Sequence, residues 1–228
     1  MSRSAWVGVG VVVVLFVAAA NLSGEKNKTL AETLLRGAAT FPAAEMNALV
    51  GDAANTPEKA AAEATSLVAA GHTCLKLKVA RGDGAEGARA DAARLLAVRR
   101  AVGPDVRLRA DANRRWSLND ALTFGLQVAD ANLEYVEEPV ACLEDLAAFH
   151  CTTGVPVALD ESVDDATRRA MNAGTSVAAA TAEFFEPTFG VVALVLKPSV
   201  LGGFEPCAAA AAAARNRGVA AVVSAAFE

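Results

Sequence analysis

Charged side chains end five successive apolar runs of this sequence, and their types and spacing suggest a reaction centre. In chain order the endings are Lys76-Leu77-Lys78, Arg109-Ala110-Asp111, Glu137-Glu138, Asp160-Glu161 and Lys197. Their signs run positive, negative, negative, negative, positive, an order that solvated loop residues in consecutive units would rarely produce. If the runs are parallel strands of one barrel, these ends meet at the edge where such folds carry their active sites.

Three carboxylates of this set predict a metal site. Asp111, Glu138 and Asp160 offer hard oxygen ligands, which suit Mg²⁺ with water and substrate oxygens completing its coordination. Lys78 and Lys197 come from runs on either side of the trio, so we expect them to face each other across a bound substrate. A carboxylate coordinated to Mg²⁺ has its negative charge stabilised, which makes a proton on the adjacent carbon removable.

The two lysines of the first ending share one face, because side chains of a strand alternate between its faces. A lysine close to another ammonium group and to a dication has its charged form disfavoured, which lowers its pKa toward the operating pH. Lys78 is therefore the predicted base, with Lys76 as its electrostatic neighbour.

The charged ends belong to a regular alternation of β-rich runs and alanine-rich helical stretches. The predicted strands are Met46–Val50, Cys74–Val79, Val106–Ala110, Leu133–Val136, Val155–Leu159, Val191–Leu196 and Val219–Val223. The predicted helices are Glu58–Ala70, Ala85–Ala101, Leu118–Ala129, Leu143–Thr152, Asp164–Ala173 and Glu205–Asn216. This alternation indicates βα units and a parallel sheet, either doubly wound or closed as a (β/α) barrel. No glycine-rich phosphate loop follows any of the runs, which disfavours nucleotide-binding folds.

Composition narrows the class of protein further. With 54% hydrophobic and 21% charged residues, the 228-residue chain is too apolar for a disordered protein and long enough for one or two domains. A formal net charge of −5 argues against nucleic acid as the main partner. The four cysteines form no C-x-x-C pair, so we expect reduced, buried thiols and neither disulfides nor a zinc site.

The first 43 residues lack the strand–helix alternation of the rest of the sequence. An apolar stretch over residues 5–20 is short for a membrane span and right for a signal-peptide core, with a single anchor or a mistranslated gene start as alternatives. We therefore predict an apolar leader over residues 1–22, a linker with one helix over 23–43, and a barrel domain over 44–228. Membrane contact is expected only through residues 5–20.

The motifs K-L-K, R-A-D-A-N, E-E-P-V, A-L-D-E-S and L-K-P-S, read together and in this order, resemble the enolase superfamily in its mandelate racemase/muconate lactonizing branch. The segments Leu194–Glu205 and Val222–Glu228 most resemble the o-succinylbenzoate synthases, in the form found in the plant and algal phylloquinone pathway. The resemblance runs from about Met46 to Glu228.

This resemblance implies a TIM-like (β/α)₇β barrel and a Mg²⁺-dependent lyase, with Mn²⁺ as an alternative metal. The implied substrate is a small carboxylate, 2-succinyl-6-hydroxy-2,4-cyclohexadiene-1-carboxylate, which loses water to form o-succinylbenzoate in menaquinone and phylloquinone biosynthesis.

Carried over by position, the resemblance gives each residue a role. Lys78 is base and acid, Lys197 stabilises the enediolate from the opposite face, and Lys76 supports Lys78. The implied metal ligands are Asp111, Glu138 and Asp160, and the implied substrate-lining residues are Gly202, Gly203 and Ser224. Arg109 is expected one layer beneath the metal, paired with the carboxylates. Asn113 and Glu161 are expected to support the ligands from outside, although for either one an ordinary structural hydrogen bond serves equally well.

The sequence also departs from the superfamily. Of its capping domain only the helix within residues 23–43 is expected to be a remnant, and its last strand has no counterpart here, so we expect an incomplete barrel of seven strands. A racemase, dipeptide epimerase or cycloisomerase of the same superfamily, or an inactive fragment, remain alternative interpretations. The phylloquinone pathway is largely plastidial, so the apolar segment is interpreted as part of a plastid-targeting signal. The oligomeric state stays open.

Overall fold

Seven parallel strands form one continuous sheet in this computed structural model, which describes residues 46–50 and 56–224. The strands are β1 (Asn47–Val50), β2 (Cys74–Lys78), β3 (Arg107–Asp111), β4 (Tyr135–Glu137), β5 (Val157–Leu159), β6 (Val191–Leu196) and β7 (Ala220–Val223). Each pairs with its neighbours in chain order, from β1 at one edge to β7 at the other. The predicted α/β class and the seven predicted strands are confirmed. The predicted leader and linker lie outside the described residues.

Helices connect the strands. They are α1 (Pro57–Ala69), α2 (Gly84–Val102), α3 (Leu118–Val128), α4 (Leu143–Thr153), α5 (Glu161–Ala173), α6 (Val177–Ala180) and α7 (Phe204–Arg215). Short 3₁₀ turns cover Ala129–Ala131, Ala182–Phe185 and Pro187–Phe189. The six predicted helices are present. The sequence predicts no element between α5 and β6, because elements of three or four residues are too short to show a hydrophobic period.

Local sequence accounts for several helix ends. The side chain of Thr56 accepts a hydrogen bond from the Lys59 N–H at 3.4 Å, and a proline opens the first turn of α1. Ser117 likewise accepts from the Asp120 N–H at 3.2 Å and caps α3. Gly154 ends α4 with a φ of 69°, a left-handed conformation that glycine adopts without steric cost.

The two faces of the sheet are chemically different. Leu77, Leu108 and Val136 point to the outer face, where they pack with helix residues such as Phe124 and Phe149 in the main apolar core. The inner face carries a small separate cluster of Tyr135, Ala158 and Ala193, together with the charged residues described below. The alternation within β4 thus turns Val136 outward and Tyr135 inward.

Contacts between non-adjacent strands show that the inner face is concave. Lys76 of β2 reaches Glu137 of β4 across the intervening β3, and Arg109 of β3 reaches Asn47 of β1 across β2, with Nη1 to Oδ1 at 3.1 Å. Neighbouring strands lie about 4.8 Å apart, so such contacts are favoured when the sheet curls around them. The seven strands thus form a curled half-barrel, with the helices on its outside.

The sequence predicted four buried thiols, but only Cys74 and Cys207 are buried. Cys142 and Cys151 are exposed, because they lie at the N-cap position and on the outward side of α4. Within the described residues no helix is long and apolar enough to cross a membrane.

Gly125 lies where α3 packs closely against α4. A Cβ atom there would lie 2.6 Å from Thr153 Cγ2 and 2.9 Å from Phe149 Cε2, and both neighbours are buried. Alanine gains about 1 kcal/mol over glycine in an exposed helix, but overpacking a buried contact costs about 1–3 kcal/mol. We expect Gly125→Ala to lower the free energy of unfolding by about 1 kcal/mol in urea titrations.

The matched second variant is Gly125→Ala combined with Thr153→Ser. Serine removes the crowding Cγ2 yet keeps the hydroxyl that donates to the Phe149 carbonyl at 2.8 Å. In the Thr153→Ser background, Gly125→Ala should lower the free energy of unfolding by less than it does in the parent chain. A Gly125→Ala chain as stable as the parent would contradict the close packing.

Candidate functional site

Strand register brings the predicted base and two carboxylates to the same level of the concave face. Lys78 is the in-register partner of Asp111, and Asp111 is the partner of Glu137. The Lys76 ammonium, one layer below, lies 2.8 Å from Asp111 Oδ2 and 2.8 Å from both Glu137 oxygens. The Lys78 ammonium is paired with Asp111 and also donates to Asn113 Oδ1 at 2.9 Å.

Glu137, and not the predicted Glu138, is the glutamate that meets these groups. The Glu138 carboxylate turns to the start of α5, where its Oε1 accepts the N–H groups of Asp160 and Ser162 at 2.8 and 2.7 Å. Arg114 Nε donates to the other oxygen at 2.9 Å. The sequence contains a signal for this: Val136 is the apolar member of β4, so alternation alone places Glu137 on the opposite, inner face.

The third predicted carboxylate and the second main lysine meet on the other side of the concave face. Lys197 Nζ lies 2.7 Å from Asp160 Oδ2 and 3.7 Å from Asp164 Oδ2. Asp160 Oδ1 and Asp164 Oδ1 are buried and have no hydrogen-bond partner. Asp164 was missed from sequence, although it stands four residues after Asp160 and therefore on the same side of α5. The three carboxylate-bearing strands β3, β4 and β5 separate the lysine of β2 from Lys197.

Asn113 and Glu161 both lie at the site. Asn113 Nδ2 donates to Glu161 Oε1 at 3.0 Å, while its Oδ1 accepts from Lys78. Its backbone N–H donates to Asp111 Oδ1 at 3.1 Å. Asn113 therefore connects the end of β3 to the first turn of α5, with Lys78 between them.

Arg109 faces the interior below the carboxylates, as expected, but its partners differ from the prediction. Its Nε donates to Glu134 Oε2 at 2.6 Å, and its guanidinium lies 4.9 Å from the Tyr135 ring centroid. Neither contact involves Asp111. Glu134, just before β4, lies at the level of Arg109 and supplies the carboxylate that pairs with it.

The predicted substrate-lining residues follow β6 and β7. Gly202 and Gly203 have φ values of 86° and 122°, which favour glycine, and they precede α7 directly. Ser224 follows β7, and its N–H donates to the Leu196 carbonyl at 2.9 Å. These positions lie at the same strand-end edge as Lys197, which follows β6.

Burial and pairing set the charges of this centre. Burial pushes the pKa of Lys76 down, but the carboxylates of Glu137 and Asp111 outweigh it and the pKa ends above its ordinary value. Burial raises the pKa of Glu137 to about 8, because Lys76 offsets only part of the desolvation. Lys76 and Lys78 outweigh burial at Asp111 and hold its pKa below the usual range. Burial raises the pKa of Asp160, against the opposing effect of Lys197.

The donor set fits a hard dication, although no three Asp, Glu, His or Cys side chains of residues 46–50 and 56–224 already form a metal cage. The lysine ammonium groups stand between the carboxylates and pair with them. Asp111, Glu137 and Asp160 supply only carboxylate oxygens, the ligands that Mg²⁺ prefers. The buried Oδ1 of Asp160 accepts no hydrogen bond from the protein, so it is available to a cation.

A curled parallel sheet with a lysine and carboxylate centre at its C-terminal strand ends is the arrangement of a (β/α)-barrel enzyme domain. Residues 59–227 match the family described as Enolase C-terminal domain-like. The chain therefore belongs to this family, which confirms the predicted superfamily.

Curated relatives fall into two groups. Protein PHYLLO, chloroplastic, of Arabidopsis thaliana is 45% identical over 177 residues, or 78% of this chain and 10% of that protein. An o-succinylbenzoate synthase of Thermobifida fusca is 39% identical over 111 residues, 48% of this chain and 34% of that protein. The L-Ala-D/L-Glu epimerase of Bacillus subtilis is 40% identical over 114 residues, 48% of this chain and 30% of that protein. The chain thus spans about a third or less of these relatives.

Solved structures show the same fold. A substrate-liganded complex of the Bacillus subtilis epimerase has a TM-score of 0.66 at 28% identity, covering 81% of this chain and 47% of that one. A dipeptide epimerase of Enterococcus faecalis, complexed with Mg and the dipeptide L-Leu-L-Tyr, has a TM-score of 0.60 at 27% identity, covering 80% and 46%.

The Asp164 carboxyl group is expected to make the free energy of unfolding depend on pH. Burial raises the pKa of Asp164 from 3.8 to about 6. The folded chain then holds this proton where the unfolded chain has lost it, so the contribution of Asp164 to stability falls as pH rises from about 4 to 6. The Asp164→Asn variant does not lose stability in this way. The difference in free energy of unfolding, variant minus parent, should therefore be about 1–3 kcal/mol larger at pH 7 than at pH 4. Urea titrations at both pH values in metal-free buffer measure the change.

The adjacent Asp165 is the matched control. A hydrogen bond from Arg114 holds the pKa of Asp165 below its ordinary value, so its carboxylate stabilises the fold at neutral pH and less in acid. Asp165→Asn should therefore change relative stability with pH in the opposite direction. Parallel pH profiles for Asp164→Asn and the parent would show that burial does not disfavour the Asp164 charge.

Proposed function

We propose that this domain removes a proton from the carbon next to a substrate carboxylate, with Lys78 as the base and Mg²⁺ as the metal. The observation that carries this proposal is the placement of Lys78 and Lys197 at opposite ends of a carboxylate set on one concave face. A substrate lying on these carboxylates would have one ammonium group on each side. Gly202, Gly203 and Ser224 are proposed to line the substrate.

Asp111, Glu137 and Asp160 would hold the metal, which replaces Glu138 of the initial prediction by Glu137. Bound there, Mg²⁺ would supply a positive charge against the substrate carboxylate and lower the free energy of the anion left by proton removal. Lys76 and Lys78 pair with Asp111, so both ammonium groups would have to move away from this carboxylate before it could bind the metal. We propose that Lys76 stays paired with Glu137 and supports Lys78.

The reaction we propose is the dehydration of 2-succinyl-6-hydroxy-2,4-cyclohexadiene-1-carboxylate to o-succinylbenzoate. Lys78 takes the ring proton next to the carboxylate, and Lys197 balances the anionic charge from the opposite side. Lys78, now protonated, returns this proton to the departing hydroxyl, which leaves as water. The ring becomes aromatic, so one residue serves as base and then as acid.

Two findings support the synthase over other reactions of the family. PHYLLO is matched over 78% of this chain, and an o-succinylbenzoate synthase is matched at 39% identity. The chloroplastic location in the name of PHYLLO supports a plastid location for this chain. Dipeptide epimerisation is the second candidate, because an epimerase is matched at 40% identity and would use the same proton abstraction.

Lys78→Ala should reduce kcat for aromatisation by about 10²–10⁴-fold with little change in KM, because the base is lost while the metal and substrate contacts remain. The assay follows the absorbance of o-succinylbenzoate with the purified full chain in Mg²⁺ buffer. Lys197→Ala should also lower kcat, whereas Lys59→Ala on the exposed side of α1 should not. Turnover unaffected by Lys78→Ala would refute the mechanism.

The same preparations distinguish the second candidate. Proton exchange of L-Ala-L-Glu in D₂O, followed by NMR, reports epimerase chemistry. Exchange without aromatisation would favour the epimerase, and neither reaction would favour an inactive domain.

Metal removal is expected to abolish either reaction. Chelation with EDTA should stop turnover, and Mg²⁺ or Mn²⁺ should restore it. Glu137→Gln should weaken Mn²⁺ binding, measured by water-proton relaxation, by at least about tenfold, since a carboxylate ligand is replaced by a neutral amide. The exposed Glu183→Gln is the control. Full activity in EDTA would exclude the proposed role of the metal.

A further inference from the structure

We infer that Glu138 is a positioning residue, which caps helix α5 in place of Asp160 and so leaves the Asp160 carboxylate free for the metal. The inference deepens the proposed function and rests on it for the metal. It assigns Glu138 a role through Asp160, which differs from the direct ligand role that the sequence predicted.

The Glu138 carboxylate has no capacity left for a metal. Its side chain is fully buried, and Oε1 accepts two backbone N–H groups, those of Asp160 and Ser162. Oε2 accepts from Ser162 Oγ at 3.0 Å and from Arg114 Nε at 2.9 Å. A carboxylate offers about four lone-pair sites, and four donors occupy them here.

The hydrogen bonds of Glu138 are those that an N-cap side chain ordinarily makes. Asp160 stands at the N-cap of α5, and an aspartate there usually accepts an N–H from the first turn of its own helix. Asp160 makes no such bond; its Oδ2 pairs with Lys197 and its Oδ1 is unpartnered. Glu138, from the neighbouring strand, satisfies the N–H of Ser162 instead. The negative charge it brings also suits the positive end of the α5 dipole.

The backbone at Glu138 indicates that this arrangement is imposed by tertiary contacts. Glu138 has a φ of 44° and Arg114 one of 61°, both in the left-handed region that costs a non-glycine residue about 1–3 kcal/mol. The two residues are joined by the bond from the Arg114 N–H to the Glu138 carbonyl at 2.9 Å. Hydrogen bonds to a buried, charged carboxylate are of the strength needed to offset such strain.

Arg114 extends the connection to β3. Its guanidinium contacts Glu138, Ser162 Oγ at 2.8 Å and Asp165 Oδ2 at 2.7 Å. Because Arg114 stands three residues after Asp111, one buried carboxylate ties together the chain segments that follow β3, β4 and β5. The three proposed metal ligands adjoin these segments, since Asp111 and Glu137 end β3 and β4 and Asp160 follows β5 directly.

The test compares Glu138→Ala and Glu138→Gln with Glu137→Gln, all in the full chain. Glutamine keeps an oxygen for the two backbone N–H groups, so Glu138→Gln should bind Mn²⁺ within about threefold of the parent. Glu138→Ala should weaken Mn²⁺ binding by about 10–100-fold, the usual effect of losing a residue that orients a ligand. Glu183→Ala and Glu183→Gln are the matched controls, since Glu183 pairs with Arg169 at 2.7 Å on the exposed surface.

Amide hydrogen exchange supplies a readout that is independent of the metal. The Asp160 and Ser162 N–H groups should remain protected in Glu138→Gln and exchange at least tenfold faster in Glu138→Ala, more than other amides of α5. Equal loss of Mn²⁺ binding in Glu138→Gln and Glu137→Gln would make Glu138 a ligand and overturn the inference. Unchanged exchange at Asp160 and Ser162 in a folded Glu138→Ala would overturn it as well.

The two proposals fail in different ways. A parent chain that does not bind Mn²⁺ would refute the metal site, and the inferred role of Glu138 toward the metal with it. The exchange measurement would still decide whether Glu138 caps α5. Should Glu138→Ala fail to fold, Glu138→Gln alone separates a capping role from a ligand role.

Discussion

The register of β2, β3 and β4 is the constraint on which the charged centre of the concave face depends. It aligns Lys78 with Asp111 and Asp111 with Glu137, and the two-residue period of a strand places all three on the concave face. A slip of one residue would turn these side chains toward the helices and bring apolar side chains inside. The burial of the alternating apolar residues against the helices therefore fixes the charged face as well.

The charges on this face are stable only as a group. Asp111 and Glu137 side chains are 1% exposed and Lys76 is 14% exposed, so each would pay a large desolvation cost if unpaired. Lys76 holds both carboxylates, while Lys78 shares one of them. Burial raises the pKa of Glu137 to about 8, because Lys76 offsets only part of the desolvation. A dication at the same place would further favour the charged form of Glu137.

Backbone strain is concentrated where the strands end. Non-glycine residues with left-handed φ lie within three residues of the ends of β2, β3 and β4, namely Ala80 at 58°, Asn113 at 47°, Arg114 at 61° and Glu138 at 44°. Such conformations persist only where surrounding contacts determine them, and they are frequent at functional sites. Here they turn the chain sharply after the last inward-facing carboxylate. They let Asn113 reach back to Lys78 and let Glu138 reach forward to α5.

The amino-acid sequence by itself determined the alternation of strands and helices, because hydrophobic periods of two and of about 3.6 residues are local properties. It also placed Lys76, Lys78, Asp111 and Lys197 on one edge of the sheet. Alternation along β4 points Glu137 toward them, but only the tertiary structure decided where the Glu138 carboxylate turns. A three-residue strand followed by a left-handed residue does not show where its alternation ends, and the donors that hold Glu138 come from two other chain segments. Contacts between such distant chain segments depend on tertiary packing, which a local sequence pattern does not show.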